Sequence, residues 1–85
     1  MKIVFSSDAW EDYLHWQRKD NDALKRINEL VRDILRDPDS PGLGKPERLK
    51  GDLAGYSSRR ITAEHRLVYR VTDEQLIIIQ CRFHY

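Results

Sequence analysis

His65-Arg66-Leu67-Val68-Tyr69-Arg70-Val71-Thr72, then Asp73-Glu74, then Leu76-Ile77-Ile78-Ile79-Gln80-Cys81-Arg82-Phe83 is the stretch on which the fold turns. Its first part is rich in β-branched and aromatic residues and alternates with charge, so it predicts a strand over 65–72. Asp73-Glu74 reads as a tight connection. Leu76–Phe83 is too apolar for a sheet edge and predicts a central strand antiparallel to the first. With a two-residue turn between them, Arg66 opposes Cys81.

Upstream, Tyr56–Thr62 reads as another strand, Gly51–Gly55 as a turn, and Glu47–Lys50 as a short strand. Asp39–Gly44 has no periodicity and predicts a loop. Before it, Leu24, Ile27, Leu30, Val31, Ile34 and Leu35 form one stripe of a helix that Asp37-Pro38 stops. Trp10, Tyr13, Leu14 and Gln17 mark a shorter helix to about Lys19, with Ser6-Ser7-Asp8 as cap candidates and Asp8 with Glu11 at capping-box spacing. Asp20-Asn21-Asp22 separates the two, which predicts an antiparallel helical hairpin. Met1–Phe5 opens as a strand. A strand, two helices and an antiparallel meander with helices over one face make an α+β chain, with 1–85 expected to form a single domain.

Of the 85 residues, 40% are apolar, in periodic blocks that a disordered chain would lack. Cys81 stands alone, which excludes an internal disulfide and fits a reducing compartment. No apolar run approaches the ~20 residues of a membrane span, and the opening segment is too short for a secretory signal. No membrane association and a cytoplasmic location are the expectations. The net charge of +1 hides an asymmetry: residues 1–44 hold seven Lys/Arg against nine Asp/Glu, and residues 45–85 hold eight against five. Such a basic half suits a phosphate backbone or is simply solvated.

Three segments carry candidate chemistry. In Gly44-Lys45-Pro46-Glu47-Arg48-Leu49-Lys50, three cations around Glu47 would stabilise its carboxylate; a surface ion cluster looks the same. Ser58-Arg59-Arg60-Ile61 and His65-Arg66-Leu67-Val68-Tyr69 put guanidinium groups on a sheet face, which suits a phosphate or plain solvent. In Cys81-Arg82-Phe83-His84-Tyr85, an imidazole can move a proton near neutral pH and a tyrosine can stack on a base, while terminal aromatics also serve as lids. His15, His65 and His84 lack zinc-ligand spacing, and neither an acidic cluster for magnesium nor a glycine-rich phosphate loop is present, so no cofactor or metal is expected. A carboxylate, arginines and a histidine suit RNA, whose 2′-hydroxyl can attack its own phosphate given a base, an acid and positive charge.

The chain resembles the YoeB/Txe toxins of the RelE superfamily. The resemblance runs through Trp10, Tyr13 and Trp16, Lys25 to Leu30, Gly44 to Lys50, Ser58 to Tyr69, and Cys81 to Tyr85. It implies a RelE-like (microbial RNase-like) fold and a ribosome-dependent endoribonuclease that cuts mRNA in the A site of the 70S ribosome. It also implies neutralisation by a YefM/Axe-type antitoxin, homodimer formation, and operator DNA reached only through the antitoxin. By position, Glu47 matches the general base, Arg66 the residue stabilising phosphate charge, His84 the general acid and Tyr85 the nucleotide-placing tyrosine. Lys45, Lys50, Arg59 and Arg60 fall on basic positions expected to touch RNA. Strand alternation sets a condition on these roles: His84 and Arg66 point to opposite faces of a regular strand, so a bulge or a departure near Phe83–Tyr85 is required. The alternative is a non-catalytic RNA- or ribosome-binding inhibitor of translation. A DNA-binding repressor fits less well, because no helix-turn-helix signature is present.

Overall fold

The helix boundaries follow from their caps. In this computed structural model, which describes residues 1–39 and 42–84, α1 spans Ser7–Lys19 and α2 spans Asn21–Arg36. Ser6, in extended backbone, accepts the Ala9 N–H at 3.1 Å and starts α1. The cap therefore lies two residues before the Asp8 of the expected capping box. Asp20 closes α1 through its N–H to Trp16 and opens α2 by accepting the amides of Asp22 and Ala23 at 3.0 and 3.1 Å. A single residue thus joins the two helices. Neither is long and apolar enough to cross a membrane.

Five strands form one mixed sheet: β1 (Lys2–Phe5), β2 (Glu47–Arg48), β3 (Ser57–Arg60), β4 (Arg66–Val71) and β5 (Gln75–Gln80), in the order β1-β5-β4-β3-β2. β1 runs parallel to β5 and the other pairs are antiparallel. The core lies between the helices and one sheet face, where Ala9, Trp16, Ala23, Ile27, Leu30 and Ile34 meet Leu67, Tyr69, Leu76 and Ile78. Alternation sends Ser58, Arg60, Arg66 and Val68 to the other face.

An ion network ties α2 to the sheet. Arg59, fully buried, donates from Nη1 to Asp33 Oδ2 at 2.5 Å and to the Leu43 carbonyl at 3.1 Å, and from Nε to the Tyr69 hydroxyl at 3.1 Å. Asp33 Oδ2 also accepts the Leu43 N–H at 3.1 Å, and Arg36 donates to Oδ1 at 2.5 Å. The loop before β2 is thereby clamped to the core. Gly44 closes it with φ +82°, and a Cβ there would sit 2.8 Å from Leu30 Cδ2 and 3.0 Å from Arg59 Cβ. Only glycine fits both demands.

The hydrogen bonds from Arg36 and Arg59 hold the Asp33 carboxyl down to about 2 from its ordinary 3.8, against the opposing effect of burial. A carboxyl more acidic when folded adds stability that is complete above its unfolded value and lost as pH falls through its folded one. Urea midpoints are therefore expected to drop between pH 3.8 and about 2 in the parent, and to drop less in Asp33→Asn. Parallel acid profiles for the two proteins would contradict this origin.

The last strand departs from regularity sooner than its composition predicts. Tyr69 pairs with Ile78, but Val68 pairs with Gln80, so a bulge intervenes and β5 stops at Gln80 rather than Phe83. Cys81 turns into the core, where α1 takes both its backbone groups: Asp12 Oδ2 accepts its N–H at 3.1 Å and Trp16 Nε1 donates to its carbonyl at 2.8 Å. Burial pushes the Cys81 thiol up to about 12. Phe83 follows with φ +64°, in the left-handed region.

Candidate active site

Register across β2, β3 and β4 assembles the polar face. Glu47 pairs with Ser58 and Ser58 with Val68, while Arg60 pairs with Arg66 one row on. All five therefore share the face turned away from the helices. Arg66 Nη1 lies 3.7 Å from Glu47 Oε2 and donates to Ser58 Oγ at 3.4 Å. The Arg66 side chain is 11% exposed and that of Glu47 57%, so a largely buried guanidinium meets a carboxylate open to solvent. The expected cationic surround of Glu47 changes accordingly: strand alternation turns its neighbour Arg48 to the opposite side, and Arg66 reaches it across the sheet.

The tail comes to the same place from the other direction. The Arg66 N–H donates to the Phe83 carbonyl at 2.9 Å, and the Phe83 N–H donates to His65 Nδ1 at 2.7 Å. Exposed His84 thus begins at the peptide bound to the Arg66 backbone. The sequence required a bulge or a departure near Phe83–Tyr85; a bulge lies at Val68/Tyr69, and the chain leaves the strand earlier, after Gln80. The Glu47 carboxylate and the Arg66 guanidinium thus approach each other across β3, and the His84 backbone follows directly on the peptide that Arg66 holds. Among the described residues no three His, Cys, Asp or Glu side chains gather as a metal ligand set would.

The chain and its fold have close counterparts. The model of the YoeB-like toxin of bacterial type II toxin–antitoxin systems matches residues 5–85. The chain belongs to the YoeB toxin family. Toxin YoeB of Streptomyces coelicolor is 60% identical over 100% of both chains. The structure of a YoeB/ParE toxin from Agrobacterium tumefaciens superposes with a TM-score of 0.95 at 57% identity, covering 100% of both chains. Two Staphylococcus aureus structures, a heterotetrameric YoeB–YefM complex and a YoeB dimer, match with TM-scores of 0.92 and 0.93 at 49% identity over 100% of this chain and 98% of theirs. Two helices on a five-stranded mixed sheet are thus the RelE-like α+β fold that the motifs implied.

Not every basic residue of the YoeB-like motifs lies on the polar face. Arg59 was expected to touch RNA, yet it is 0% exposed on the helix side, committed to Asp33, Tyr69 and Leu43. The Ser58-Arg59-Arg60 run alternates, so neighbouring arginines part to opposite faces, and register with β4 decides which is inside. Arg60 stays on the polar face, half-buried, beside Arg66. Lys45 and Lys50 are exposed on the segments flanking β2. Tyr85 lies outside the described residues. A groove of about 1010 Å³ includes Glu47, Arg48, Arg70 and Asp73 in its lining but neither Arg66 nor His84. Sequence reading missed His65, Gln80, Asp12 and Trp16 as holders of the tail. Only the His65–Arg66 adjacency hinted at it.

Proposed function

We propose that this YoeB-family chain is a metal-independent endoribonuclease that cuts mRNA in the ribosomal A site. The observation that carries the reading is the approach of Glu47 to Arg66 at 3.7 Å, beside the turn that delivers His84. In the free protein the carboxylate faces the guanidinium. An RNA phosphate would take over the Arg66 fork, since a guanidinium presents paired donors that match phosphate oxygens. Glu47 is then released to receive the proton of the adjacent 2′-hydroxyl. The 2′-oxygen attacks phosphorus, Arg66 stabilises the charge gathering on the equatorial oxygens, and the P–O5′ bond breaks. His84 gives its proton to the departing 5′-oxygen. The products are a 2′,3′-cyclic phosphate and a 5′-hydroxyl, and the second proton rests on Glu47. Lys45, Lys50 and Arg60 would contact neighbouring phosphates, and Tyr85 would place the nucleotide.

The Staphylococcus aureus complex and dimer support two further parts of this reading: neutralisation by a YefM-type antitoxin and self-association of the toxin. A cytoplasmic location follows from the ribosomal substrate. The test is cleavage of mRNA on 70S ribosomes with defined A-site codons, run with and without EDTA at a magnesium level that keeps ribosomes intact. New 5′-hydroxyl ends that persist on chelation are expected. Arrest of translation with no new ends would mean a binding inhibitor, and cleavage abolished by EDTA on intact ribosomes would mean a metal-dependent reaction.

A further inference from the structure

The turn that carries His84 is built from a conformation that needs outside support. Phe83 has φ +64°, and a bulky residue persists there only where its surroundings hold it. Cys81 is fixed by α1, but those two bonds end before the turn. At Phe83 both backbone groups are taken by consecutive residues of one segment: its N–H by His65 Nδ1 at 2.7 Å and its carbonyl by the Arg66 N–H at 2.9 Å. Gln80 Nε2 adds a bond of 2.8 Å to the Arg82 carbonyl and a longer one of 3.4 Å to that of Phe83. His65 is itself held, edge-on to Trp16 with centroids 4.8 Å apart at 79°. That same indole donates to the Cys81 carbonyl.

We propose that His65 is a positioning residue, whose Nδ1 accepts the Phe83 N–H and thereby sets where His84 stands relative to Arg66. Accepting at Nδ1 leaves the ring proton on Nε2. The two histidines then divide the work: His84 moves the proton, and His65 fixes the turn that presents it. The inference rests on the reading of His84 as the general acid. It also explains why the register condition imposed by strand alternation is met without a second strand, since His65 and Arg66 replace ladder bonds that β5 no longer makes.

Asparagine and glutamine separate this role from the others a histidine can play. Asn Oδ1 occupies the place of Nδ1, Gln Oε1 reaches the place of Nε2, and neither is an acid or a base at neutral pH. At saturating toxin on programmed ribosomes, His65→Asn is expected to cleave within about tenfold of the parent. His65→Gln should fall about a hundredfold, the loss that ~1 Å of misplacement brings, with ribosome affinity unchanged. Equal rates for the two variants, high or low, would overturn the proposal. A second measurement on the isolated parent is independent of cleavage and of the variants' folding: a ¹⁵N–¹⁵N coupling across the Phe83 N–H···Nδ1 bond is expected, and its absence overturns the clamp. If the parent shows the coupling but cuts no RNA, the nuclease reading fails and the clamp stands.

Discussion

Replacing His84 by Gln is expected to slow single-turnover cleavage of A-site mRNA by about a hundred- to ten-thousandfold, the usual worth of a positioned general acid or base. Thermal stability should stay within ~0.5 kcal/mol of the parent, as it does for most surface substitutions. The asymmetry follows from the geometry. His84 lies past the end of β5 and is exposed, whereas its turn is held by His65, Gln80 and the Arg66 backbone, with Asp12 and Trp16 fixing Cys81 just before it. On the proposed mechanism, removing the imidazole deletes the proton donor, while the bonds on the Phe83 backbone that hold the turn are made by other residues. Ribosome binding should be unchanged, so the effect appears in the rate at saturation. Parent-like cleavage by the variant would assign the acid to another group.

The largest loss of stability is expected at Arg59. Arg59→Ala removes a fully buried guanidinium and leaves Asp33, Tyr69 and the Leu43 carbonyl facing an apolar gap. Breaking a buried ion pair from one side costs about 3–5 kcal/mol where the remaining charge is left without a partner; Asp33 keeps Arg36 and the Leu43 N–H, so the loss is expected at the lower end of that range. Against a total of ~5–15 kcal/mol for a domain, that is a large share. Arg60→Ala is the control: one residue away on the opposite face and half-buried, it should shift the urea midpoint far less while weakening RNA contact. Equal midpoints for parent and Arg59→Ala would mean that the Asp33 network does not hold the fold together. The same network reaches the site, since Leu43 and Gly44 lead directly into the segment that carries Glu47.

The helices were legible because their signals are local. The stripe from Leu24 to Leu35, the break at Asp20-Asn21-Asp22 and the stop at Asp37-Pro38 each act within a few residues, and α2 runs from Asn21 to Arg36 between those two signals. The tail of β5 was not. Cys81 and Phe83 continue the apolar composition of a strand, and the run from 76 to 83 shows no break. α1 ends the strand by capturing the Cys81 backbone with Asp12 and Trp16, which lie 69 and 65 residues away. The parallel pairing of β1 with β5 was equally hidden, because it joins residues from the two ends of the chain.

Periodicity, caps and turn residues determined the α+β class and the element order, and the succession of short motifs was enough to place the chain in its family. Those signals are short-range, so a single chain displays them without folding. Which arginine faces solvent and which faces Asp33, where the bulge falls and what reaches Glu47 were decided only by tertiary structure. Each depends on strand register, and a shift of one residue exchanges the two faces of a strand. Register is a property of pairs of segments, fixed by how the helices pack on the sheet.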